Sequence, residues 1–81
     1  SDAGVANFKV YPNPAKDRIT VTAGQNHVES ISIIDLTGRT VYTDCESFAR
    51  TKSLNLSLEK GIYLVKLKGS KSFSTQKLII E

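Results

Sequence analysis

The sequence is short of most residue types from which reactive sites are built. It has one cysteine, Cys45, one histidine, His27, and neither tryptophan nor methionine. A single cysteine excludes an intrachain disulfide and any zinc site that needs several thiolates, and it leaves the redox compartment unread. A lone thiol at the end of a strand reads as a small, half-buried packing residue. No apolar run approaches the roughly 20 residues that span a bilayer as a helix, and Ser1-Asp2-Ala3-Gly4 has neither the basic nor the apolar region of a signal peptide. The expectation is a soluble segment cut from something longer. There is no Gly-rich phosphate loop, no zinc-binding helix pair and no calcium loop. Alanine is sparse and no stretch sustains apolar residues at 3.6-residue spacing, so helices are not expected.

What the chain does have is β-branched and aliphatic residues. Ile, Leu, Val and Phe make up 23 of its 81 residues, enough to fold but, in one domain of 8.9 kDa, enough for one thin core only. The apolar pattern has period two and falls into seven short runs: 8–11, 18–22, 30–35, 39–45, 52–56, 62–68 and 73–80. That number predicts an all-β, Ig-like antiparallel sandwich of about seven strands. Alternation places Ile19, Val21, Ile31, Ile33, Leu54, Leu56, Tyr63, Val65 and Leu67 inside, with Val41 and its neighbour Thr43, and sets Tyr42 on the opposite face. On the outer face of the sixth run, Ile62 and Leu64 precede Lys66 and Lys68, which predicts partial cover at its start and solvent at its end. The last run is apolar at Leu78, Ile79 and Ile80, so it either carries a bulge or is apolar on both faces and needs a partner.

The turns have their own chemistry. Pro12-Asn13-Pro14 holds φ at two positions and keeps Asn13 out of the helical region, making a rigid corner that continues through Ala15, Lys16 and Asp17. Asp35-Leu36-Thr37-Gly38 reads as a hairpin turn that Asp35 opens and Gly38 closes at positive φ. Gly61 is expected at positive φ between a turn and a strand. Gly69-Ser70 reads as a two-residue hairpin turn joining the last two strands.

The formal net charge is +3, too small to mark a nucleic-acid binder unless it clusters on one face. Lys60, Lys66, Lys68, Lys71 and Lys77 do gather late in the chain, where strand lysines ordinarily protect edges. Candidate reactive groups are few. His27 reads as a surface turn residue, and a His27–Cys45 dyad lacks a third group to orient the imidazole. Asp35 and Asp44 could form a carboxylate pair, but Asp35 is accounted for as a turn opener and Asp44 as a strand-end residue on the solvent side. Asn55-Leu56-Ser57 matches the glycosylation acceptor pattern but lies on a core strand. Tyr11, Tyr42 and Tyr63 fit strand packing as well as a binding face. These groups predict no enzyme, no cofactor and no metal.

The ordered set of Phe8-Lys9-Val10-Tyr11-Pro12-Asn13-Pro14, Asp17-Arg18-Ile19-Thr20-Val21, Ile34-Asp35-Leu36-Thr37-Gly38-Arg39, Leu54 to Leu58 leading to Gly61-Ile62-Tyr63-Leu64-Val65-Lys66, and Lys77-Leu78-Ile79-Ile80 resembles the C-terminal sorting domain (type A) of proteins exported by the type IX secretion system. The resemblance runs from Phe8 onward, with residues 1–7 as the end of a linker and 8–81 as the domain. Its sorting-motif residues would be Pro12, Asn13, Pro14, Asp35, Gly38, Gly61, Tyr63, Lys77, Leu78, Ile79 and Ile80. The resemblance implies a label carried by an upstream cargo domain. The label would pass the periplasm, be recognised by the outer-membrane translocon and be removed by a sortase as the cargo reaches the cell surface or the medium. Cys45 and the terminal Glu81 depart from the usual pattern, and the first leaves dimerisation open. The rival reading is an extracellular Ig- or fibronectin-like module that binds polysaccharide or a protein partner, which would want exposed coplanar aromatics that this chain scarcely has.

Overall fold

A computed structural model describes residues 8–69 and 73–81. Seven strands follow one another: β1 (Lys9–Tyr11), β2 (Arg18–Val28), β3 (Ser30–Asp35), β4 (Thr40–Asp44), β5 (Phe48–Asn55), β6 (Gly61–Lys68) and β7 (Phe73–Ile80). A single-residue bridge at Ala15, parallel to Ile80, adds an eighth point of sheet pairing. The strands form a three-stranded sheet, β1-β2-β5, and a four-stranded sheet, β4-β3-β6-β7. All strand pairs are antiparallel, and the chain crosses between sheets from β2 to β3, from β4 to β5 and from β5 to β6. This is the Ig-like sandwich that the seven alternating runs predict.

Burial follows the pleat. In β3, Ile31 and Ile33 are buried while Ser30 and Ser32 are half-exposed; in β6, Tyr63, Val65 and Leu67 point inward. Ile19, Val21, Leu54 and Leu56 meet them from the other sheet, and Val10, Ala15, Ala23, Val28, Leu78 and Ile80 complete one cluster. No polar or charged residue is buried among the described residues, so this core is held by apolar contact and by the backbone ladders.

The structure corrects several expectations. β4 carries a bulge: Ile33 pairs with Tyr42 and Ile34 with Thr40, which makes Val41 the extra residue. The bulge reverses parity, so Tyr42 shares the inward face with Ile33, and both Val41 and Tyr42 are only partly buried against the core. Cys45 lies beyond the end of β4 and is exposed rather than half-buried. His27 is not in a turn. β2 continues past a register break between Thr22 and His27, where one residue of β5, Arg50 with φ of 77°, faces a four-residue excursion of β2, and His27 then pairs with Ala49. Asn55, at the end of β5, is exposed. β7 has no bulge, pairing with β6 in unbroken register from Phe73 to Ile80. Gly61 opens β6 with φ of 158°, positive but bordering the extended region. The turn expected at Gly69-Ser70 reaches into residues outside the described set.

Candidate functional site

Asn13 organises one end of the sandwich. The chain leaves β1 at Tyr11 and reaches the edge of the other sheet by Ala15, through two prolines whose preceding peptide bonds are both cis. Neither proline offers an N–H, so the side chain between them makes the contacts. Asn13 Nδ2 donates to the Lys77 carbonyl at 2.9 Å, and the Ile79 N–H donates to Asn13 Oδ1 at 3.0 Å. A carboxamide carries one acceptor and a donor pair in the geometry of a peptide, and so can stand in for a strand residue at a sheet edge. Ala15 then continues with its own backbone: its N–H donates to the Ile79 carbonyl and its carbonyl accepts from the Glu81 N–H, both at 2.8 Å. Ala15 is 1% exposed and belongs to the core cluster.

The other positions expected of the sorting motif lie at the same end. Gly61 pairs with Ile80, Ile62 with Ile79 and Tyr63 with Leu78. Leu78 and Ile80 point into the core, while Ile79 is half-buried on the outer side. Tyr63, nearly buried, donates its hydroxyl to the Glu59 carbonyl at 2.6 Å and pairs across β3 with Asp35. Asp35 in turn builds the hairpin: its Oδ1 accepts from the Thr37 hydroxyl at 2.6 Å and from the N–H groups of Thr37 and Arg39, both at 3.0 Å. Gly38, at φ of 92°, donates its N–H to the Asp35 carbonyl at 3.0 Å. These bonds, led by the Thr37 hydroxyl, hold the Asp35 carboxyl below its ordinary value of 3.8. Pro12, Pro14 and the Lys77 side chain are exposed around this end.

The carboxylate pair does not form. Asp35 sits at one end of β3 and Asp44 pairs with Ile31 near the other, a separation on the order of 13 Å along the strand. Asp44 is not on the solvent side either. It is half-buried and takes the Lys52 ammonium at 2.8 Å, and Lys52 also reaches Glu46 Oε1 at 3.1 Å. The Lys52 hydrogen bond, followed by that of the Glu46 N–H, lowers the Asp44 pKa; the same pairing raises that of Lys52. Two open grooves, of about 500 and 310 Å³, meet at Ser57, Leu58 and Glu59. They have polar walls without a cluster of metal-ligating side chains among the described residues.

Sequence reasoning missed the edge-capping role of Asn13 and the Asp44–Lys52 bridge. The first had a signal, an amide flanked by two residues unable to donate. The second had none, since the partners lie on strands of different sheets.

Two antiparallel sheets packed over one apolar core define a small Ig-like domain. Within that class, residues 9–81 match the family model of the secretion system C-terminal sorting domain, and the chain belongs to that family, the sorting domains of type IX secretion. No curated protein matches it. Membership makes the domain a type IX sorting signal that works with the secretion machinery in export across the outer membrane, to the cell surface or the medium. It is not a family of enzymes.

Proposed function

We propose that this domain is read as a folded unit by the outer-membrane translocon, after transit of the periplasm, and that a sortase then removes it by cutting in the linker up to residue 7 or further upstream. The cargo ahead of it is left at the surface or released. The observation that carries this reading is the convergence of the motif positions. Asn13 and Ala15 meet Lys77, Ile79 and Glu81 across more than sixty residues of sequence, so the motif is assembled only in a folded chain. A linear address peptide would have no need of such pairing.

The test is to fuse the chain to an inert reporter in a host with a working type IX system and in the same host without its translocon. Export in the first and retention in the second is the expected result. A reporter that stays in the periplasm of the competent host would overturn the proposal. Cleavage is read separately, by the mass of the exported reporter in hosts with and without the sortase. A tail still attached when the sortase is present would remove that part alone.

A further inference from the structure

The two outer faces of the sandwich are built from different residues. On the three-stranded sheet, register aligns Lys9, Thr22 and Thr51 in one row and Tyr11, Thr20 and Ser53 in the next, with Arg18 beside Asn55. The Tyr11 and Thr22 hydroxyls bond at 3.1 Å and those of Thr20 and Ser53 at 3.4 Å. This is a water-facing surface.

The outer face of the four-stranded sheet is not. Ile62 pairs with Ile79, and Leu64 lies between Lys77 and Ile34. Ile62 is 43% and Leu64 38% exposed, in keeping with the partial cover expected at the start of β6. Ile34 and Ile79 flank them half-buried. Single surface aliphatics need no explanation, but four on three neighbouring strands form a continuous patch, and such patches mark contacts. Further along, Lys66 lies between Thr75 and Ser32, and Lys68 between Phe73 and Ser30. Lys66 Nζ sits 4.4 Å from the centroid of the exposed Phe73 ring. Asp35 and Asp44 pair with Tyr63 and Ile31, on the inward register. Among the described residues of these strands, none places a carboxylate on this outer face.

The edge of the sheet offers less. The main-chain groups of β7 from Lys77 to Glu81 that face outward are held by Asn13 and Ala15, so strand addition there would have to displace existing bonds. A second copy of the chain suits the face poorly, because it would bring the same lysines and no carboxylate of this face to meet them. We propose that the outer face of β3, β6 and β7 docks a protein of the secretion machinery whose surface has an apolar centre and a carboxylate rim. Ile62 and Leu64 enter the centre, and Lys66 and Lys77 meet the rim. The inference rests on the reading of the domain as a sorting signal and gives that reading a surface.

The experiment uses the reporter fusion with three double variants. Ile62→Thr with Leu64→Thr removes the apolar centre while keeping strand-forming side chains. Lys66→Glu with Lys77→Glu inverts the rim, and Thr51→Asn with Ser53→Asn alters the opposite outer face as a control. The control exports like the wild type; each of the first two lowers exported reporter about tenfold or more, as loss of central contacts does, while the purified chains melt within a few degrees of the wild type. Normal export of a folded Ile62/Leu64 or Lys66/Lys77 variant overturns the proposed surface and leaves the sorting reading standing. Failure of the wild-type fusion to export overturns both. If the Ile62/Leu64 variant does not fold, the Lys66/Lys77 variant decides alone, since its changes are on the surface. Sedimentation of the wild-type chain as a dimer that the face variants dissociate reassigns the patch to a second copy. Co-sedimentation with phosphatidylglycerol vesicles that both variants abolish reassigns it to lipid. Either result overturns the proposal.

Discussion

The sandwich has two long seams where its sheets meet, and they are closed by different physics. Between β1 and β7 the closure is neutral, shared equally between the Asn13 amide and the Ala15 backbone, which bridge to Lys77, Ile79 and Glu81 without a charged side chain. Between β5 and β4 it is ionic: Lys52 on one sheet reaches Asp44 on the other and Glu46 in the connection, with its ammonium 5.8 Å from the Phe48 ring centroid. Hydrogen bonds between neutral groups are indifferent to salt and acid, whereas an ion pair is weakened by salt and by acid strong enough to protonate its carboxylate. The seam that Asn13 and Ala15 close is therefore the robust one.

The largest effect should come from apolar anchors at the neutral seam. Ile80 is 3% exposed and pairs with Gly61 on one side and Ala15 on the other. Ile80→Ala should cost about 2–4 kcal/mol through lost burial and the cavity left behind, measured by urea unfolding. Next is Asn13→Ala, which removes two hydrogen bonds while leaving the prolines in place. We expect a loss of about 1–2 kcal/mol, the same at low and high salt; a salt-dependent loss would break the distinction between the seams. Lys52→Ala should cost about 1 kcal/mol because its carboxylate partners are partly exposed and screened, and here the cost should shrink as salt is added.

The same comparison can be sharpened with acid. Asp35 and Asp44 have folded pKa values below 3.8. A depressed carboxyl pKa contributes stability that is complete above the unfolded value and is lost as pH falls through the folded one. The melting temperature should thus be flat from neutrality to about pH 5 and fall below about pH 4. Asp44→Asn should flatten that fall, and Asn13→Ala should leave its slope unchanged. Lys52 works in the other direction: its raised pKa gives stability present below 10.5 and lost as pH rises further. The smallest effect is expected of Cys45→Ser, at an exposed position outside the strands, within about 0.5 kcal/mol.

Alternation made most of the fold legible, because a residue's face along a regular strand depends on parity alone. It placed Ile19, Val21, Ile31, Ile33, Leu54, Val65 and Leu67 correctly, all of them buried. It failed where parity breaks. The extra residue at Val41 put Tyr42 on the wrong face, and the excursion opposite Arg50 hid the second half of β2 inside a polar stretch that reads as a turn. The sorting-motif positions were named from the family resemblance alone, whereas the turn role of Asp35 was legible from turn chemistry. What their spacing could not give was the partner of Asn13, because an edge contact between residues 13 and 79 leaves no periodic trace. Partial cover was read for Ile62 and Leu64, but not the breadth of the patch that Ile34 and Ile79 extend on the neighbouring strands. Whether anything lies over an outer face is a property of the whole topology, not of the strand.

The bonds made by Asn13 and Ala15 also set an order in time. A ribosome delivers residues 13–15 early, and their partners at 77–81 emerge after everything between them. The corner can therefore close only on a chain translated past Lys77, and a product that stopped short would present β1 and its prolines with nothing to grip. Any receptor that requires the closed corner would pass over unfinished copies of the cargo. Export would then be conditional on translation as far as Glu81 as well as on a folded tail.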